Sequence, residues 1–270
     1  MSLVWRGRPD AEVPPPGPGG WARAVARGLP LVLLLVMGLL TMLAIRVVEA
    51  AIRGPRRPVS PWVTVLVCRG ALRLLGLRAE RVGVPATGPG LLAANHSSWL
   101  DILVLNAGQP LVFVSKAEVA GWPGIGGLAR ATGTLFVRRD ARAEAGAQAE
   151  AVAERLRLGQ RLALFPEGTS TDNGTVLPFR PALFEALRAE RLPPGVAVQP
   201  VTLAYGAPPG RDAPFLAWYG DMEFGPHGLA VLAAPRGGRV RVTYHPPIPS
   251  GGRDRKALAL AAERAVRAAL

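Results

Sequence analysis

The segment NHSSWLD, residues 95–101, places an imidazole and a carboxylate five positions apart in otherwise apolar sequence. The flanking runs LLAA and ILVL predict a buried strand before it and a helix within it. His96 then falls at the strand end and Asp101 one turn into the helix, where the carboxylate can reach back to the imidazole. Such a contact fixes a histidine tautomer and raises its basicity, which suits a general base. Helix capping by Ser98 and Asp101 is the alternative, and it leaves His96 unexplained.

Two further segments place polar groups at predicted strand ends. RLALFPEGTST, residues 161–171, predicts a strand followed by a turn that contains Glu167, Gly168 and Thr169. TLFVRR, residues 134–139, ends in two arginines, and paired guanidinium groups at a strand end can clamp a phosphate. The alternatives are an ordinary solvated turn and a solvated basic strand end.

Composition favours an anionic partner at a membrane surface. The formal net charge is +13, 30 of the 32 basic residues are arginine, and the mean hydropathy is +0.23. We find no nucleic-acid-binding motif, so we expect no nucleic-acid partner. The single cysteine, Cys68, excludes an internal disulfide and a cysteine-rich zinc site. We expect no metal, because His227 and His245 fall in unrelated loops and are predicted to be structural or solvated.

The chain divides into a tail, an anchor and a domain. Residues 1–27 are rich in proline and glycine and predict a disordered tail. Residues 28–82 are the predicted membrane anchor: 28–45 carry no charge and can span a bilayer, and 59–77 predict a second helix that spans the bilayer or lies in its interface. Eight arginines follow the apolar run and four precede it, which predicts that 83–270 lie on the cytoplasmic face of the inner membrane. A signal peptide is the less favoured alternative.

Short apolar runs alternate with helical patterns after residue 83, which predicts an α/β domain. We predict strands at LLAA, LVFVS, TLFVRR, RLALFP, VAVQPVTLAY and RVRVTYH. Helices are predicted at 140–158, 181–190 and 254–269. The run GIGGLA imitates a dinucleotide-binding fingerprint, but no strand precedes it, so we discount that function.

Taken together, these segments resemble the membrane-bound glycerolipid acyltransferases, the 1-acylglycerol-3-phosphate acyltransferase family. Four family blocks follow in order between about residues 90 and 250. The matching residues are Asn95, His96 and Asp101 in the first block; Lys116, Glu118, Pro123, Gly126, Gly133 and Arg139 in the second; Phe165, Pro166, Glu167, Gly168 and Thr169 in the third; and Val198 to Val201 in the fourth.

The resemblance implies a mixed α/β sheet flanked by helices and preceded by a membrane-embedded two-helix segment. It implies acyl transfer from acyl-CoA or acyl-carrier protein to the hydroxyl of a lysolipid, with no cofactor beyond that co-substrate. His96 would be the general base and Asp101 its orienting partner. The residues implied in substrate binding are Lys116, Arg138, Arg139, Glu167, Gly168 and Thr169.

The acceptor is less sharply indicated than the chemistry. We expect 1-acyl-sn-glycerol-3-phosphate, which would give phosphatidic acid, because Arg139 suits a phosphate. However, Ser170 stands where the family often has arginine, and Arg138 where it often has aspartate. With DNG at 172–174, this change is similar to the branch that acylates lyso-ornithine lipid, which is the alternative acceptor.

Two alternatives come from other functional classes. A non-catalytic membrane lipid-binding protein is disfavoured because His96, Asp101 and Glu167 are all present. A membrane-anchored hydrolase is disfavoured because the sequence has no nucleophile elbow and no metal-ligand set.

Overall fold

Two N-terminal helices precede a mixed α/β sheet in the computed structural model of the protein. It describes residues 4–11, 13–54, 57–138, 144–187 and 192–270. The helices, in chain order, are α1 (Pro18–Arg53), α2 (Ser60–Leu75), α3 (Leu100–Gly108), α4 (Ile125–Thr132), α5 (Ala145–Arg157), α6 (Phe224–Ala233) and α7 (Arg255–Arg267). The strands are β1 (Arg78–Val82), β2 (Gly90–Ala94), β3 (Val112–Lys116), β4 (Leu135–Val137), β5 (Arg161–Leu164), β6 (Ala197–Gly206), β7 (Arg239–Tyr244) and β8 (Ile248–Pro249).

The eight strands form one sheet in the order β1-β7-β6-β2-β5-β3-β4, with β8 also paired to β6. Only β7 and β8 run antiparallel to β6, and the other pairings are parallel. The mixed α/β class that the resemblance implied is therefore confirmed. Because β2 and β5 are parallel neighbours, their carboxyl ends meet at one edge of the sheet, where α/β proteins build sites.

Both faces of the sheet are covered, so its central strand is buried at every position. Alternate side chains of β2 enter opposite cores. Leu91 packs on the side that contains α5 and α7, and Leu92 packs on the side that contains α2, α3 and α6. The site that follows β2 therefore stands on a strand fixed from both faces.

Helix α1 lies along the domain and contacts it near both ends. Near its start, Arg23 and Arg27 donate hydrogen bonds to backbone carbonyls at the end of α6, at 2.7–3.0 Å. Near its other end, Arg46 donates to the Ala131 carbonyl in α4. In the middle, a Cβ on Gly38 would collide with Val67, so α1 and α2 cross closely there.

The outward faces of these two helices expose large apolar side chains along their length. Helix α1 is also long and apolar enough to cross a membrane. The exposed residues are Trp21, Val25, Leu29, Val32, Leu33, Val36, Met37, Leu40, Leu43, Val47, Val48 and Ile52 in α1, with Val59 before α2 and Trp62 and Leu66 within it.

The structure corrects several predicted boundaries near the N-terminus. Residues 18–27 are helical, so the prediction of a disordered tail is wrong for them; Pro18 at the first helical position starts α1. Residues 4–11 lie against the domain, where Trp5 packs edge-on against Tyr219 and the Tyr219 hydroxyl donates to the Pro9 carbonyl at 3.2 Å. Residues 78–82, predicted as part of the anchor, form edge strand β1.

The other predicted elements are present with shifted bounds, whereas α4, α6 and β8 were not predicted. The helix predicted at 140–158 is α5, whose described part begins at Ala145, and residues 140–143 lie outside the described residues. The segment predicted as a helix at 181–190 forms a 3-10 helix over Pro181–Leu187, and residues 188–190 also lie outside the description.

Candidate active site

A buried carboxylate, Asp101, organises the loop between β2 and α3. Its Oδ2 accepts hydrogen bonds from His96 Nδ1 at 2.8 Å, Ser97 N at 2.8 Å and Ser98 N at 3.0 Å. Its Oδ1 accepts from the Tyr205 hydroxyl at 2.6 Å. The carboxylate is 0% exposed, and a charge at such a position is costly unless it is hydrogen-bonded. These four donors therefore hold the loop in one shape and fix the orientation of His96.

His96 presents its second ring nitrogen to a cleft. With the Nδ1 proton directed at Asp101, Nε2 is the unprotonated nitrogen of the neutral ring. The ring stacks on Phe165 with centroids 4.1 Å apart, and its side chain is 20% exposed. The predicted His96–Asp101 contact is present, in the geometry that a general base requires.

Tyr205 was not predicted from sequence. It lies near the end of β6, and burial raises the pKa of its hydroxyl well above the ordinary value, with the neighbouring Asp101 charge adding to the rise. The hydroxyl therefore stays protonated and is a fixed donor to Asp101. The sequence feature that could have indicated this role is a tyrosine near the end of a predicted central strand.

Glu167 lies behind His96 and not in the cleft. Its Oε1 accepts from His96 N at 2.7 Å and its Oε2 from Leu177 N at 2.6 Å. The side chain is 1% exposed, and burial, followed by the Asp101 charge, raises the pKa of its carboxyl to about 8. Both carboxyl oxygens of Glu167 accept hydrogen bonds from the backbone, so the structure does not support its predicted contact with the acceptor head group. Glu167 instead positions the backbone of His96.

Two asparagine side chains extend the sheet beyond its strands. After β2 ends, the Asn95 amide donates to Leu203 O at 2.9 Å and accepts from Leu203 N at 2.8 Å. Two residues along β6, Asn173 makes the same pair of bonds to Tyr205, at 2.9 and 2.8 Å. Asn173 adopts a left-handed backbone, φ 72°, which asparagine tolerates. The DNG segment thus fixes the loop beside the site.

The cleft has a volume of about 290 Å³ and contains several predicted residues. Lys116, Gly168 and Thr169 line it together with His96. Lining residues that were not predicted to bind substrate include Ser115, Glu118, Trp122, Phe165, Ser170 and Trp218.

Of the two arginines predicted to bind phosphate, the structure describes Arg138 alone. Arg138 is exposed, is not among the described lining residues, and forms an ion pair with Glu144 at 3.2 Å. Its predicted phosphate contact is therefore not supported. Arg139 lies outside the described residues.

The other two histidines are used within the fold. Trp99 Nε1 donates to His227 Nδ1 at 3.0 Å, and burial lowers the pKa of His227, which keeps it neutral. His245 Nε2 lies 2.9 Å from Thr202 Oγ1. Among the residues that the structure describes, no group of three or more His, Cys, Asp or Glu side chains is arranged to hold a metal ion.

An apolar cavity of about 160 Å³ adjoins the cleft. Its walls come from α1, α2, α3 and α4, through side chains such as Met42, Val67, Leu103 and Leu128. Ser115 and Val119 line both the cavity and the cleft. The cleft that contains His96 and the cavity walled by the N-terminal helices are therefore neighbours separated by these two residues.

Removing the Tyr205 hydroxyl should weaken both the fold and the site. In Tyr205→Phe, Asp101 loses a charge-assisted hydrogen bond, so we expect a stability loss of about 1.5–3 kcal/mol and a fall in kcat of about tenfold or more. Thermal unfolding and steady-state kinetics of the purified protein measure both. Tyr244→Phe changes another buried tyrosine outside the cleft and should leave kcat unchanged. Equal kcat values for the two variants would contradict the role of Tyr205.

Glu167 should make stability depend on pH. Its folded pKa lies near 8 and its ordinary value near 4.5, so the folded state holds this proton more tightly than the unfolded state. The contribution of Glu167 to stability should therefore be most favourable below about pH 4.5 and be lost as pH rises through 8. Glu167→Gln cannot titrate, so the difference in stability between wild type and variant should shrink or reverse across that window. The exposed-site variant Glu154→Gln should keep the wild-type slope, and a wild-type slope in Glu167→Gln would refute the assignment.

Comparison with known proteins agrees with this geometry. Residues 79–204 match the acyltransferase family model. A lyso-ornithine lipid O-acyltransferase of Rhodobacter capsulatus is 46% identical over 99% of this chain and 97% of its own length. A 1-acyl-sn-glycerol-3-phosphate acyltransferase of Neisseria gonorrhoeae is 37% identical over 51% of this chain and 53% of its own.

The crystal structure of the 1-acyl-sn-glycerophosphate acyltransferase PlsC from Thermotoga maritima superimposes with a TM-score of 0.56. It covers 90% of this chain and 95% of its own, and at 21% identity it supports the fold alone. The near full-length match to the Rhodobacter capsulatus protein establishes the family. The chain belongs to the acyltransferase family and is an acyltransferase.

Proposed function

We propose that the protein transfers a fatty acyl group from an acyl thioester to the hydroxyl of lyso-ornithine lipid. The observation that carries this proposal is the 46% identity, over 99% of the chain, to a relative named for that reaction. The similarity to a named 1-acyl-sn-glycerol-3-phosphate acyltransferase extends over only 51% of the chain. The order of the two acceptors expected from the sequence is therefore reversed.

The chemistry follows from the His96–Asp101 pair. An alcohol attacks poorly unless its proton is removed during attack, and His96 Nε2 is available to take that proton. The acceptor oxygen then bonds to the thioester carbonyl carbon, and the thiol leaves with the proton that the imidazolium returns. Asp101 stabilises the imidazolium between these steps. Such general-base catalysis typically contributes about 10²- to 10⁴-fold in rate.

The charges in the cleft support a zwitterionic head group. Ornithine linked through an amide keeps a carboxylate and an ammonium group. Lys116 and Glu118 bring one charge of each sign to the cleft that contains His96, and Ser170 adds a neutral hydroxyl. Lys116 and Glu118 also match the family block of the 1-acylglycerol-3-phosphate acyltransferases, so Ser170 is the difference that favours the zwitterion: a dianionic phosphate would lack the arginine that the family often has at position 170.

The apolar cavity supplies a place for an acyl chain. It shares Ser115 and Val119 with the cleft, and we propose that a thioester at His96 directs its chain past these residues, between the domain and helices α1 and α2. Acyl-CoA and acyl-carrier protein both present such a chain and remain the two candidate donors.

The contacts of α1 favour a helix that lies within one leaflet of the membrane and does not cross it. Arg23 and Arg46 hold opposite parts of the helix to the same domain. A helix that crossed the bilayer would carry one of these contacts to the other side. Its exposed apolar stripe instead suits immersion in the plane of the membrane, with its arginines at the head groups. We place the domain at the cytoplasmic face of the inner membrane, where arginine-rich segments are retained.

A panel of acceptors tests the reaction. Purified protein with acyl-CoA or acyl-carrier protein should acylate lyso-ornithine lipid and release thiol only when that acceptor is present. His96→Ala should abolish turnover, because the variant lacks the proposed general base, and Asp101→Asn should retain a small fraction. Membrane association should be unchanged in both variants. Turnover of lysophosphatidate without lyso-ornithine lipid would restore the first expectation, and near-native turnover by His96→Ala would exclude the general base.

Cysteine labelling tests whether α1 lies within one leaflet or crosses the membrane. In a Cys68→Ala background, Gly19→Cys and Ala51→Cys place single thiols near the two ends of the helix, both at exposed positions. With an impermeant maleimide, we expect neither to label in intact bacterial cells and both to label once the inner membrane is opened. Labelling of only one position in intact cells would show that α1 crosses the membrane.

A further inference from the structure

A second and larger cleft lies at the amino edge of the sheet, opposite the edge that carries His96. Its volume is about 640 Å³. The segment before β2, the turn before β3 and the start of β5 form its inner wall. The end of α1 and the beginning of α2 form its outer wall. Because β2, β3 and β5 are parallel, this cleft is separated from His96 by the length of the strands.

Five arginines line this cleft, which we call the arginine pocket: Arg46, Arg53, Arg57, Arg155 and Arg161. Its described lining residues include no aspartate and no glutamate. A Cβ placed on Gly133 would lie 3.5 Å from Arg57 Nη1 and 3.9 Å from Arg155 Nη1. Two guanidinium groups from distant parts of the chain therefore face the same point.

The known partners of these arginines are neutral. Arg161 donates to the Gly88 carbonyl, and Arg155 donates to Gln160 Oε1 at 3.3 Å. Burial lowers the pKa of Arg155, and the charge of Arg57 lowers it further. The carboxyl end of helix α4 carries a partial negative charge of about half an elementary charge. This partial charge is too small to offset several guanidinium groups.

The carboxylate of Glu49 lies near Arg46 and offsets part of the charge of that one arginine. It accepts hydrogen bonds from Val59 N at 2.6 Å and Ser60 N at 3.1 Å, at the start of α2. A solvated basic surface would spread its arginines in water. Here Arg161 is buried, and Arg46, Arg57 and Arg155 are partly buried, so the pocket concentrates positive charge in a partly desolvated space.

The mouth of the pocket adjoins the exposed apolar faces of α1 and α2. Trp62 lines the pocket and is 52% exposed, and the exposed apolar residues Ile52 and Val59 are next in sequence to its lining residues Arg53 and Pro58. Tryptophan is typical of the membrane–water interface, where phosphate groups of lipids lie. A guanidinium group matches two phosphate oxygens in a planar fork.

We propose that the arginine pocket binds the phosphate of an anionic phospholipid that is neither acceptor nor product. The lipid phosphate bridges the end of α1, the start of α2 and the edge formed by α5 and β5, while its chains extend over the exposed apolar faces. The bound lipid locks the N-terminal helices onto the domain. The site is independent of the acceptor identity, because it lies at the edge of the sheet opposite His96.

Ligand-dependent stability of the full-length protein in neutral detergent tests the proposal. The probes are short-chain phosphatidylglycerol, phosphatidylcholine with the same chains, glycerol 3-phosphate and inorganic phosphate. Phosphatidylglycerol should raise the Tm saturably, because it binds the folded state. Phosphatidylcholine should not, because its choline cation would face the arginines. An equal effect of inorganic phosphate or glycerol 3-phosphate at the same concentration would overturn the assignment to a lipid.

Matched variants locate the effect. Arg57→Gln/Arg155→Gln should raise the apparent Kd for phosphatidylglycerol by about tenfold or more, because two charge-assisted contacts are lost. Arg253→Gln/Arg264→Gln removes the same charge at exposed positions elsewhere and should bind as wild type does. Equal affinities of the two double variants would overturn the proposal. If the pocket variant does not fold, Arg155→Lys keeps the charge but loses the fork, and it should still bind more weakly than wild type.

Discussion

The arrangement of the cleft depends on burying the charge of Asp101. A carboxylate at 0% exposure needs donors, and the chain supplies them from two places that are far apart in sequence. His96, Ser97 and Ser98 come from the adjoining loop, and Tyr205 comes from β6. The loop can close only if β6 is paired with β2 in the observed register, so the imidazole is positioned by the sheet itself.

Local spacing was enough to predict the His96–Asp101 contact, because both residues lie within one strand-to-helix connection. The contact of Tyr205 with Asp101 spans 104 positions, and no local pattern reports such a distance. The role of Glu167 was missed for a similar reason, since its partner Leu177 lies beyond the turn. For Arg138, a contact was predicted that the structure does not support. An arginine is a suitable residue type for binding phosphate, but its position at a strand end does not determine which way its side chain leaves the strand.

The fold class was predictable and some element boundaries were not. Buried strands such as β2 carry uninterrupted apolar runs, which the sequence shows directly. Strand β1 is exposed along its whole length at a sheet edge and carries RAERV, so it lacks that signal. The start of α1 was hidden in a proline- and glycine-rich stretch, although Pro18 is a favoured first helical residue.

Helices α1 and α2 form walls of the apolar cavity beside the cleft as well as the apolar outer surface. The anchor is thus not a detachable tether. A fragment without α1 and α2 would expose the apolar cavity to water, because Met42 and Val67 form part of its wall. Under the proposed function, membrane attachment and accommodation of the acyl chain would therefore depend on one stretch of chain. Selection on membrane composition and selection on substrate chain length would act on opposite faces of the same two helices.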